Sequence, residues 1–194
     1  PSPLARLWEF REARRAQGDA MLRLGLAIAG LLAMCAAAVD ASAAPITIVA
    51  VGASNTSGWG VAQGNAYPEQ LQAMLRAKGV AAQVINAGRP FDTTGGMLGR
   101  LDEAVPNGTR IAILQPGGND LRFLGSREQR SANIAAMASR LRARNILVIV
   151  FDPEIPRQYY AWDGIHLTTE GHAWIAASLL PQVLATLRAG AKPR

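Results

Sequence analysis

Residues 46–58 read ITIVAVGASNTSG. The first seven are apolar apart from Thr47, rich in β-branched side chains, and end on Gly52. That is the pattern of a short buried strand running into a tight turn. Similar runs recur at 82–86 (AQVIN), 110–115 (RIAILQ) and 146–151 (ILVIVF). Between them the spacing of apolar residues changes to that of helices. The pattern predicts helices over 67–78, over 95–105 with Pro106 as its stop, over 126–144, and over 168–187 with a kink at Pro181. Residues 152–166 read as a Pro-rich loop. Strands this solidly apolar need cover on both faces, as in a parallel sheet between helical layers. The expected fold is therefore a three-layer α/β/α sandwich around a parallel sheet of four strands, with right-handed crossovers.

In such sheets chemistry gathers beyond the carboxyl ends of the strands. Ser54 lies two residues past the first strand. Phe91 and Asp92 follow the second, Asn119 and Asp120 the third, and Asp163 and His166 the fourth. His166 is one of only two histidines, and Asp163 precedes it by three residues. On a tight loop that spacing lets the carboxylate reach Nδ1 and leaves Nε2 to face a hydroxyl. A serine hydroxyl is a poor nucleophile until such a base takes its proton. The side chain of Asn119, after Gly117 and Gly118, offers an N–H donor for a developing oxyanion, although Gly-Asn-Asp is also an ordinary turn former. The second histidine, His172, falls inside the last helix and reads as a surface or packing residue.

Three segments together resemble blocks I, III and V of the SGNH (GDSL) hydrolases: Gly52-Ala53-Ser54-Asn55, Gly117-Gly118-Asn119-Asp120 and Asp163-Gly164-Ile165-His166. The likeness extends over about 46–187 and is nearest to periplasmic thioesterase I/lysophospholipase and arylesterase-like members. It implies a flavodoxin-like SGNH fold and a Ser54–His166–Asp163 triad. It further implies an oxyanion hole from the Ser54 N–H, a block II N–H at Phe91 and the Asn119 amide, and hydrolysis through an acyl-serine without metal or cofactor. The chain departs from the pattern in three places. Ala53 replaces the acid before the nucleophile. Phe91 stands where block II carries glycine, and either its ring crowds the acyl pocket or the conformation differs there. The stretch between the fourth strand and Asp163 is short, which implies four strands where relatives have five.

Residues 1–43 stand apart as an N-terminal extension and signal peptide, with the hydrolase domain at 44–194. A Met and an Arg precede the apolar run 24–39, and Ala41-Ser42-Ala43 follows as a cleavage signal. The expected location is periplasmic or secreted, with an uncleaved membrane anchor as the alternative. The only cysteine, Cys35, lies in that run, so the remaining domain has no thiol for disulfides, zinc sites or nucleophilic catalysis. From residue 44 onward, 15 basic side chains face 10 acidic ones. No nucleic-acid motif accompanies this charge, which reads as a solvated basic face, with weak contact with an anionic membrane as the alternative. The Gly- and Ser-rich 52–58 lacks the Gly-Lys-Ser/Thr ending of a phosphate-binding loop.

The expected partner is a small acyl ester or thioester, met by a monomer. A carbohydrate O-acetyl ester is one alternative substrate, with Trp59, Tyr159, Tyr160 and Trp162 either stacking on sugar or anchoring loops. A non-catalytic binding module on the same fold is the other alternative.

Overall fold

The computed structural model of the chain describes residues 44–123 and 125–190. The signal-peptide reading of 1–43 lies outside the described residues. The strands are β1 (Ile46–Gly52), β2 (Ala82–Gly88), β3 (Ile111–Gln115) and β4 (Leu147–Val150). All pair in parallel, in the order β2-β1-β3-β4. The helices are α1 (Ser54–Ser57), α2 (Tyr67–Ala77), α3 (Thr94–Gly99), α4 (Leu101–Ala104), α5 (Asn119–Arg122), α6 (Arg127–Ala143) and α7 (Thr169–Gly190).

Both faces of the sheet are covered, which is why the inner strands β1 and β3 are apolar with almost no alternation. Along β1, Ile48 and Ala50 join one cluster, with Tyr67, Leu71 and Leu75 of α2 and Ile175, Leu179 and Val183 of α7. Val49 and Val51 join the other, with Met97 of α3, Leu101 of α4 and Met137 and Leu141 of α6. Each such large apolar side chain removed from water contributes roughly 1.5–3 kcal/mol before the cost of ordering it.

Three details differ from the sequence expectation. The second strand runs on to Gly88, because β1 pairs with it as far as Gly52↔Gly88. The helix expected over 95–105 is two short ones that meet at Arg100. The Arg100 guanidinium binds the Asp92 carboxylate and the carbonyls of Gly52 and Ala87, so this residue is held by the sheet rather than by the helix. Pro181 does not interrupt α7, which is continuous through it. Pro181 and Ala177 are on the exposed side, so the carbonyl that the proline leaves without a donor has water to meet it. No helix among the described residues is long and apolar enough to cross a membrane.

His172 is a packing residue, fully buried in α7. The residue before α2, Ala66, has no side-chain acceptor for the free N–H groups of that helix. His172 Nδ1 supplies one, accepting from the Tyr67 N–H at 3.3 Å. Its Nε2 is buried with no partner among the described residues. Burial pushes the imidazole down to about 4, from an ordinary value near 6.5. The unfolded chain therefore binds a proton in that interval that the folded chain refuses. Stability from this group is complete above about pH 6.5 and falls as the pH drops toward 4, by about 3 kcal/mol in all. Urea unfolding at pH 7, 5.5 and 4 is expected to show this decline, and His172→Leu to flatten it. An unchanged slope in the variant would rule His172 out as its source.

Candidate active site

The register of β1 against β3 sets Gly52 opposite Gln115 at the carboxyl edge of the sheet. From this edge the chain leaves β1 toward β2 and leaves β3 toward β4, in opposite directions, so a crevice opens between the two ends. Ser54 enters it as the first residue of α1, and Asn119 as the first residue of α5. Close approach makes this possible. A Cβ on Gly52 would lie 1.9 Å from Thr56 Oγ1, and one on Gly88 would lie 2.2 Å from the Ser57 N. The short helix thus sits directly on the strand ends. Beneath it the Thr56 hydroxyl donates to Gln115 Oε1 at 2.6 Å, with both residues buried. Ala53 is buried in the apolar cluster on the α3–α6 side, in a place where a carboxylate would need a partner.

Asp163 and His166 are brought together as their spacing suggested. Asp163 Oδ2 lies 2.6 Å from His166 Nδ1, and Oδ1 accepts the N–H groups of Ile165 and His166 at 2.9 Å each. The His166 N–H, then the Ile165 N–H and then the imidazole hold the Asp163 carboxyl down to about 2. It is a carboxylate at neutral pH and orients the ring through Nδ1, and Nε2 has no hydrogen-bond partner among the described residues.

A residue that the sequence reading passed over ties this loop to the serine. The Asn55 amide donates to the Ile165 carbonyl at 3.2 Å and accepts from the Leu167 N–H at 3.2 Å. Two hydrogen bonds from the residue beside Ser54 therefore bracket His166. No hydrogen bond joins Ser54 Oγ to His166 among the described residues; in free enzymes such contacts are often long and tighten with substrate.

Phe91 occupies the third place of a turn closed by the Asp92 N–H donating to the Arg89 carbonyl at 3.1 Å, with Pro90 before it. Its φ is 65°, the left-handed region that such a turn reserves for glycine. This geometry accounts for a glycine at that place in block II. The ring does not join the lining of the cavity beside Ser54, so of the two outcomes expected it is the conformation that differs. Phe91 is 66% exposed and meets Trp59 edge-on at 5.7 Å, and Trp59 stacks over His166 at 6.0 Å. The other aromatic residues divide. Tyr159 packs on Trp174, Tyr160 lines the cavity beside Ser54, and Trp162 is fully in solvent.

Asn119 is anchored to the same turn, since its Nδ2 donates to the Asp92 carbonyl at 2.9 Å. One amide hydrogen remains for a ligand. The neighbouring Asp120 faces away, buried against the N–H and hydroxyl of Thr94. Beside Ser54 and Asn119 is a cavity of about 390 Å³ whose lining includes Leu121, Phe151, Ile155 and Tyr160. Among the described residues no cluster of three or more His, Cys, Asp or Glu side chains is arranged to hold a metal ion.

Residues 50–162, more than half of the chain, match the model of the GDSL-like lipase/acylhydrolase family. Esterase TesA of Pseudomonas aeruginosa is 31% identical over 133 residues, covering 66% of each chain, so the match spans just under two thirds of that relative. Among solved structures, AlinE4, an SGNH-hydrolase family esterase, superposes with a TM-score of 0.56 at 28% identity, over 73% of this chain and 74% of the other. A crystal structure of TesA superposes at 0.64 with 21% identity, over 72% of this chain and 99% of that one, a likeness of fold.

The positive φ at Phe91 is testable through stability. Phe91→Gly and Phe91→Ala both remove the ring, but only alanine retains a Cβ in the left-handed region. The glycine variant is expected to be the more stable by about 1 kcal/mol in urea unfolding. An alanine variant equal to it or better would mean that the turn relaxes without strain.

Proposed function

The chain belongs to the GDSL-like lipase/acylhydrolase family, and from that premise we propose that it hydrolyses acyl esters through Ser54, His166 and Asp163. The observation that carries this reading is the pair of Asn55 hydrogen bonds, which hold the imidazole loop against the segment bearing the serine. In the proposed reaction, the Ser54 hydroxyl attacks the acyl carbon as His166 Nε2 takes its proton. Asp163, kept ionised by its own loop, stabilises the imidazolium. The carbonyl oxygen becomes an oxyanion between the free N–H of Ser54 at the start of α1, the Phe91 N–H and the second amide hydrogen of Asn119. His166 then protonates the leaving group, and a water molecule, activated by the same imidazole, releases the acid from Ser54. These steps need only a leaving oxygen or sulfur, so the proposal covers oxygen esters and thioesters alike.

With p-nitrophenyl acetate, Ser54→Ala is expected to lower kcat by at least roughly a thousandfold. Asn119→Ala, with one oxyanion donor lost, is expected to lower it by roughly 10²–10³-fold. A Ser54→Ala protein that releases nitrophenol at the wild-type rate would end the proposal.

Export is proposed as well, on the strength of the apolar run 24–39 and Ala41-Ser42-Ala43. N-terminal sequencing of protein from the cell envelope is expected to begin at Ala44, and an intact N-terminus there would favour an anchor instead.

A further inference from the structure

The cavity beside Ser54 has a charge that the ester chemistry does not use. Arg122, Arg127 and Arg130 all line it, and Asp152 is the only acid that does so among the described residues. Arg130 is fully engaged. Its guanidinium donates to the Gly117 carbonyl at 2.9 and 3.1 Å and to Asp152 at 2.7 Å, fixing the loop between β3 and Asn119. Arg122 and Arg127 are different. Both are exposed, and neither makes a salt bridge or a side-chain hydrogen bond among the described residues.

The location of Arg127 is unfavourable for its own helix. Arg127 is the first residue of the 17-residue α6. A cation there faces the positive end of the helix dipole, where an acid would be stabilising. The acid beside it, Glu128, does not line the cavity and is drawn to the helix start and the Ser126 hydroxyl. Arg122 follows Asn119 by three residues on α5, a spacing that brings both to one side of a helical turn. Two guanidinium groups that form no salt bridge among the described residues thus border the concave wall that continues from the nucleophile. Concave walls of one sign focus the field on whatever enters, and an arginine fork fits the oxygens of a carboxylate or a phosphate.

We propose that the preferred ester carries an anionic group, a carboxylate or a phosphate, which binds between Arg122 and Arg127 while the acyl carbon lies at Ser54. The proposal rests on the ester-hydrolase reading of Ser54 and adds the charge of the substrate to it.

The test compares mono-p-nitrophenyl adipate with p-nitrophenyl hexanoate, which match in chain length and differ in a terminal carboxylate. The ratio of their kcat/KM values is expected to be about tenfold or more in favour of the adipate. It should fall toward unity in the R122Q/R127Q double variant, and at about 0.5 M NaCl. Titration calorimetry with adipate and with inorganic phosphate separates the two anion sources, since whichever binds the wild type should lose binding in the double variant. Both side chains are exposed, so the variant is expected to keep its unfolding midpoint. If hexanoate and adipate are both inert, the Ser54 reading fails, and calorimetry alone decides the anion site. A wild-type ratio at or below unity together with no binding of either anion overturns the proposal. A preference or binding that survives in the double variant also overturns it.

Discussion

The parallel pairing of β1 with β3 is the constraint on which the rest of the molecule depends. It fixes Gly52 opposite Gln115, and so places the serine turn and the Gly117–Asn119 turn side by side before any side chain is considered. Because β1 is an inner strand with both faces buried, sliding it by one residue would exchange its two apolar sets between the two cores. The position of Ser54 is therefore set by hydrophobic packing, and the chemistry inherits its precision from the sheet.

The imidazole has a different kind of support. It stands on a loop beyond β4, and that loop reaches the serine segment through the side chain of Asn55. The Asp163 carboxylate spends its oxygens on its own loop, accepting two backbone N–H groups as well as the ring. Loop folding and ring orientation are thus one event. The turn after β2 is held similarly, with Asn119 and Arg100 both bound to Asp92, so that the segment carrying Phe91 cannot move independently of the sheet.

Much of this was legible in the sequence. The four strands announced themselves through short, mostly apolar runs, and Asp163 and His166 through a spacing that can work only locally. What was not legible depends on distant partners. Nothing around Asn55 marks it as the partner of residues 110 positions away, and Trp59 could not be assigned to His166 rather than to a sugar. The division of the 95–105 helix at Arg100 follows from carbonyls on two strands that no helical pattern encodes. For Phe91 the sequence left open whether volume or conformation would matter, and the left-handed φ decides for conformation. The arginines at 140 and 144 serve the fold by binding Asp102. The arginines around the cavity are scattered and stood out only once α5 and α6 were in place.

The dependence of the histidine loop on a single amide has a thermal consequence. Opening that loop breaks the two Asn55 hydrogen bonds and the short Tyr160–Leu167 bridge and draws Leu167 from the core, still far less than melting a sheet packed on both sides. Local openings of this kind lie well below global unfolding in free energy. Warming should therefore silence the protein while its circular dichroism still looks native, and cooling should restore it without refolding.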